Sequence, residues 1–203
     1  MGCGHPPGSV KFSAAAVTSR SWIHLGPSPP NNSFKPKTNR YAILFGLTQA
    51  LGAMDSITAD LAKSFSDLPA APPMSLRGGN AVDDYEAAPA FDPVTDQVTP
   101  EYLEAHFWGI PHLDSQSWRF YLPHLLSHAL QNISNPGSNA TDTFLFSLRP
   151  PDRDPPRFGS LSGTEEQVVA AVLDKLAFSE ESVWKEQAMI ALEEYWAPGA
   201  TYR

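Results

Sequence analysis

The chain has 203 residues, 42% hydrophobic and 18% charged, the composition of a globular domain. A single cysteine leaves no disulfide framework and no multi-cysteine zinc module, and the longest mostly apolar stretch, Tyr41 to Ala53, falls short of the roughly 20 residues a spanning helix needs. Residues 1–53 carry five basic residues and no acid, whereas residues 54–203 hold nine basic against all 22 acidic residues, a net charge of −13 that repels phosphates and anionic bilayers and makes nucleic acid and membrane unexpected partners.

Residues 1–53 contain the breakers Pro6-Pro7-Gly8 and Gly26-Pro27-Ser28-Pro29-Pro30 and no capped amphipathic run, so a disordered leader is expected. Met1-Gly2-Cys3 offers lipidation positions, but Pro6 stands where the myristoylation pattern wants Ser or Thr. Lys35, Lys37 and Arg40 followed by Ala42 to Leu47 and Gly52-Ala53 have the order of a secretory signal, begun about 34 residues too late. Asn31 to Lys37, continuing through Arg40-Tyr41 to Gly46 to Gly52, resemble the translation of a short DNA repeat found between genes in some GC-rich bacteria. That resemblance implies a mis-called start and a natural one at Met54, where the composition also changes.

From there the pattern is helical, and residues 54–203 are expected to form a single, mainly α domain of five to six helices. Asp55 or Ser56 caps a helix whose apolar stripe is Ile57, Leu61, Phe65 and Leu68. Residues 69–98, with five prolines and Gly78-Gly79, read as a long loop pinned by Tyr85 and Phe91. Thr99-Pro100-Glu101 starts a helix running to Trp108: a side-chain oxygen for free amides, a proline where no amide is needed, and an acid at the positive end. Asp114 caps the next, which carries Trp118 to Leu126 and continues to about Ile133, kinked or broken at Pro123. Thr143 to Leu148 fits an extended segment or a single turn. Ser162-Gly163-Thr164-Glu165 and Thr164-Glu165-Glu166-Gln167 both fit a capping box for a helix through Leu176, and Ser179 caps a last helix that pairs with it.

Four histidines form the sharpest chemical grouping. His124 and His128 lie one helical turn apart, and His106 and His112 precede them closely, a pattern that can face one cation. No Glu follows His124 as in His-Glu-x-x-His. The pairs Asp83-Asp84, Glu165-Glu166, Glu180-Glu181 and Glu193-Glu194 read as solvated faces, and Arg149, Arg153 and Arg157, interleaved with Asp152 and Asp154, as a solvated mixed loop. Phe107-Trp108, Phe120-Tyr121 and Tyr195-Trp196 are consecutive, so both members cannot face a core and some aromatic surface is expected outside.

The ordered pieces Phe120-Tyr121-Leu122-Pro123, Ser147-Leu148, Arg157-Phe158-x-x-Leu161-x-x-x-Glu165-x-Gln167 and Leu192-x-x-Tyr195-Trp196 resemble a bacterial family of unknown function over about residues 56–197. Gly163, His124 and His128 depart from its pattern, and the resemblance implies no activity, cofactor or site residue. The reading of function is a cytoplasmic, non-catalytic protein that binds a basic protein partner, for instance an immunity-type protein covering a basic enzyme, with no cofactor. The alternative is a metal-dependent or histidine-based enzyme using His106, His112, His124 and His128.

Overall fold

The computed structural model describes residues 56–203. The leader, its signals, the start at Met54 and the cap at Asp55 lie outside the described residues. All regular structure among those residues is helical: α1 (56–64), α2 (Leu76–Asp83), α3 (Pro100–Ala105), a 3₁₀ turn (Phe107–His112), α4 (Ser115–Gln131), α5 (Asn139–Ser147), a short 3₁₀ turn (Phe158–Ser160), α6 (Gly163–Phe178) and α7 (Lys185–Ala191), which runs on as a π-helical turn (Leu192–Trp196). The domain is small and mainly α. None of these helices is long and apolar enough to cross a membrane.

α4 is the central element, because its buried residues recur on most of its surface: Trp118, Tyr121, Leu122, Leu125, Leu126, Ala129 and Leu130. It packs on α5 and α6, and α6 packs on α7. Asp114 caps it by accepting from Gln116 N and Ser117 N, both at 2.9 Å. Pro123 lies inside the 17-residue helix without ending it. The interior proline removes one backbone bond, but apolar side chains before and after it enter the same core, and their burial outweighs the roughly 3 kcal/mol an unsupported proline costs. The stripe of α1 also goes inward: Leu61 and Phe65 are buried, with Ile57 and Leu68 packed alongside.

The stretch 69–98 is not one loop. Ser75 caps α2 by accepting from Gly78 N at 2.9 Å, and the glycine pair that reads as a turn is buried within the helix. The reason is tertiary. A Cβ on Gly79 would stand 2.4 Å from the Gly109 carbonyl oxygen, and one on Gly109 would stand 2.1 Å from that of Leu76, so the backbones of α2 and the 3₁₀ turn abut. Tyr85 does not pin this stretch either; it is 100% exposed. It occupies the left-handed position after α2 (φ 61°), where Tyr85 N donates to Val82 O and Glu86 N to Ala81 O, the hydrogen-bond pattern of a Schellman stop. An L-residue is strained there, and this side chain has no burial to lose. Tyr85→Gly is expected to raise stability by about 0.5–1 kcal/mol in chemical denaturation.

Three further expectations are corrected. Thr143 to Ser147 is the second half of α5, with Leu148 at its C-terminal end, and the helix is capped by Ser138, whose hydroxyl accepts from Thr141 N at 3.1 Å. Ser179 ends α6 rather than starting α7. The chain stays non-helical through Val183 because that residue's N–H donates to Ile133 O and the Trp184 indole to Asn132 O, docking the link on the end of α4. The helix begun at Thr99 closes at Ala105 and tightens into the 3₁₀ turn, which holds Pro111.

Candidate functional site

The four histidines do not assemble. His106 packs against the Tyr102 ring (4.7 Å between centroids), with its Nδ1 3.5 Å from Asn80 Nδ2, and Nε2 of His112 lies 2.9 Å from Asp83 Oδ1. Both therefore face α2. His124 and His128 share a small cavity of about 110 Å³ that neither of the others lines. No three His, Cys, Asp or Glu side chains among the described residues are grouped to hold a metal ion.

His128 is buried in a structural junction. Its Nε2 donates to Glu104 Oε1 at 2.7 Å, the Ser138 hydroxyl donates to the same oxygen, and Ala140 N donates to Oε2 at 3.2 Å. One carboxylate thus ties α3 to α4 and to the start of α5. Burial pushes the Glu104 carboxyl up, but the donors from Ser138, His128 and Ala140 outweigh it and hold it below its ordinary range. A depressed folded-state value means stability that is present at neutral pH and is lost as pH falls through that value. Glu104→Ala is expected to cost about 2–3 kcal/mol at neutral pH, because it leaves buried donors unpaired. The gap from the natural chain should narrow in acid; an unchanged gap in urea melts at neutral and acid pH would refute this role.

The charges read as solvated are in part structural. Glu165 is 1% exposed: its carboxylate accepts from Ser162 N at 2.7 Å, completing the capping box, and from Arg119 Nε at 2.9 Å. Arg157 is 4% exposed, bonds Asp152 at 3.2 Å and lies 5.5 Å over the Trp118 ring, and burial pushes its guanidinium down. The residues that carried the family resemblance are mostly scaffold. The Tyr121 hydroxyl accepts from Leu76 N, the Trp196 indole donates to Leu148 O, and Phe158 packs on Trp118.

The surface itself departs from the scaffold at one groove, formed by the 3₁₀ turn, α5 and the start of α7. Trp108 and Pro111 form one side, Asp142, Thr143 and Phe146 another, and Gln187 and Arg149 complete it around about 280 Å³. Trp108 is 58% exposed and Phe146 68%. Each is outside for a local reason: Phe107 turns toward the core, so its neighbour on the tight turn cannot, and Phe144 and Leu145 occupy the buried arc of α5. Of the six residues in the three consecutive aromatic pairs, Trp108 alone is exposed; Tyr121 and Trp196 are buried, and Phe107, Phe120 and Tyr195 pack against the core. Phe146 was hidden in the segment whose conformation periodicity left open; a helical reading from Ser138 would have placed it outward.

Arg149 brings a cation to the groove, but its charge is engaged. It makes a two-pronged pair with Glu194 (2.8 and 2.9 Å), each holding the other ionised, while its guanidinium lies 5.9 Å from the centre of the Phe146 ring. Asp142 stands in the first turn of α5, and among the described residues its carboxylate has no hydrogen-bond or ion-pair partner. The groove is therefore two exposed aromatic faces with one free carboxylate.

No curated protein and no solved structure matches this chain. Residues 53–200 match the family of unknown function DUF6714, and the chain belongs to that family.

Proposed function

We propose that this protein is a non-catalytic binding module that covers a basic protein surface. The observation that carries the reading is the groove of exposed Trp108 and Phe146 on a domain of net charge −13. Exposed aromatic residues give a contact large apolar area at little entropic cost, and a field of one sign speeds encounter with the other. Support comes also from what the polar side chains do: Glu104, Glu165, Asp96 and His128 bind helices to one another. An immunity-type role, in which such a module blocks a basic enzyme, is the form of this function that fits charge and groove together.

Affinity capture at the natural expression level, followed by mass spectrometry, tests it. One basic protein in stoichiometric amount, released by salt, is the expected result. Recovery of no partner, or of an acidic one indifferent to salt, overturns it.

A further inference from the structure

We infer that the groove between the 3₁₀ turn and α5 receives an arginine side chain of the partner, its guanidinium against the Trp108 and Phe146 rings and paired with Asp142. This rests on the protein-binding reading above and names the chemistry of the contact. Three observations carry it.

The first is size. The groove's volume of about 280 Å³ has room for a single inserted side chain. The second is charge. Arg149 is satisfied by Glu194, and Arg153, whose guanidinium bonds the Pro111 and Leu113 carbonyls, does not line the groove. Asp142 is left as the groove carboxylate without a partner among the described residues, on a domain of strongly negative charge. The third is that the protein already makes the same arrangement internally: Arg149 lies over the Phe146 ring while a carboxylate, Glu194, holds its guanidinium. A second arginine meeting Trp108 and Asp142 repeats that pattern. A planar guanidinium suits it better than an ammonium, because it stacks on rings and offers a carboxylate two parallel donors.

The experiment follows the Trp108 indole N–H by ¹⁵N NMR in the full chain, assigned by its loss in Trp108→Phe. The probes are the tripeptide amides acetyl-Leu-Arg-Leu, acetyl-Leu-citrulline-Leu and acetyl-Leu-Glu-Leu; citrulline keeps the shape of arginine and removes its charge. The arginine peptide should shift the Trp108 resonance and leave the buried Trp118, Trp184 and Trp196 indoles in place. The citrulline peptide should bind about fivefold more weakly, equivalent to ~1 kcal/mol, and Asp142→Asn should weaken the arginine peptide by a similar factor. Equal binding of the arginine and citrulline peptides, no effect of Asp142→Asn, or no shift with any peptide overturns the inference. Unchanged buried indole resonances in each variant show that it is folded. The two proposals fail separately: a Trp108→Ala, Phe146→Ala chain that still captures the natural partner removes the groove and keeps the binding function, whereas a natural chain that captures nothing removes the function.

Discussion

Replacing Asp96 with alanine is expected to destabilise the domain by about 3–5 kcal/mol, because it breaks a buried ion pair from the side with no access to water. The Asp96 side chain has no exposed surface, and Arg77 reaches it with Nε and Nη2 at 2.9 and 2.8 Å. The same carboxylate accepts from the Tyr102 hydroxyl at 3.0 Å and from Asp92 N at 2.8 Å. Burial pushes this carboxyl up, and the Arg77, Asp92 and Tyr102 donors more than reverse the effect, leaving it below its ordinary range. Losing Asp96 strands these donors, although Arg77, 28% exposed, can recover some hydration, which places the loss toward the lower end of the range. The damage should be local before it is global. Between the stop after α2 and Val98, which packs on the core, the segment is held by hydrogen bonds to this carboxylate and from Arg77 Nη2 to Ala90 O, so limited proteolysis should cut there first in the variant. A variant with unchanged urea midpoint and unchanged cleavage pattern would show that Asp96 does not anchor the segment.

Gly109→Ala is expected to cost about 3 kcal/mol or more, for a reason that has nothing to do with polarity. The new methyl would lie 2.1 Å from the Leu76 carbonyl oxygen and 3.0 Å from Asn80 N, both backbone atoms of α2 that cannot rotate away. α2 must move as a unit, and Leu76, which is fully buried, moves with it. The same substitution at Gly163 meets nothing within 4 Å at the start of α6, so it should be neutral or stabilising by roughly 0.5 kcal/mol through reduced freedom of the unfolded chain. A large loss at Gly109 and none, or a small gain, at Gly163, read from denaturation midpoints, is the expected result. A loss below about 0.5 kcal/mol at Gly109 would mean that the two backbones do not abut.

These residues also show where sequence reasoning stops. The caps at Thr99, Asp114 and Ser162 and the stripe of α1 were legible because each is a pattern within a few residues of itself. Helix α2 was not, since Gly78-Gly79 is the local signature of a turn and only the approach of Gly109 makes two glycines necessary inside a helix. Pro123 likewise leaves a kink and a break open, and the apolar residues on both sides of it decide for one helix. At the groove, adjacency of Phe107 and Trp108 in the chain predicts one exposed ring but neither which of the two it is nor that Phe146 lies beside it.

The amino-acid sequence by itself determined the helical class, the helix starts at Thr99, Asp114 and Ser162, the acidity of the domain and membership of its family, because these depend on short-range pattern and summed charge. Tertiary structure alone decided that His106 and His112 face α2 while His124 and His128 line a different cavity, that Glu165 and Arg157 are interior, and that Trp108, Asp142 and Phe146 meet at one surface. The physical reason is that a side chain's chemistry depends on what excludes water from it and what it pairs with. For Asp96 and Arg77 the partner is 19 residues away, and for Arg119 and Glu165 it is 46.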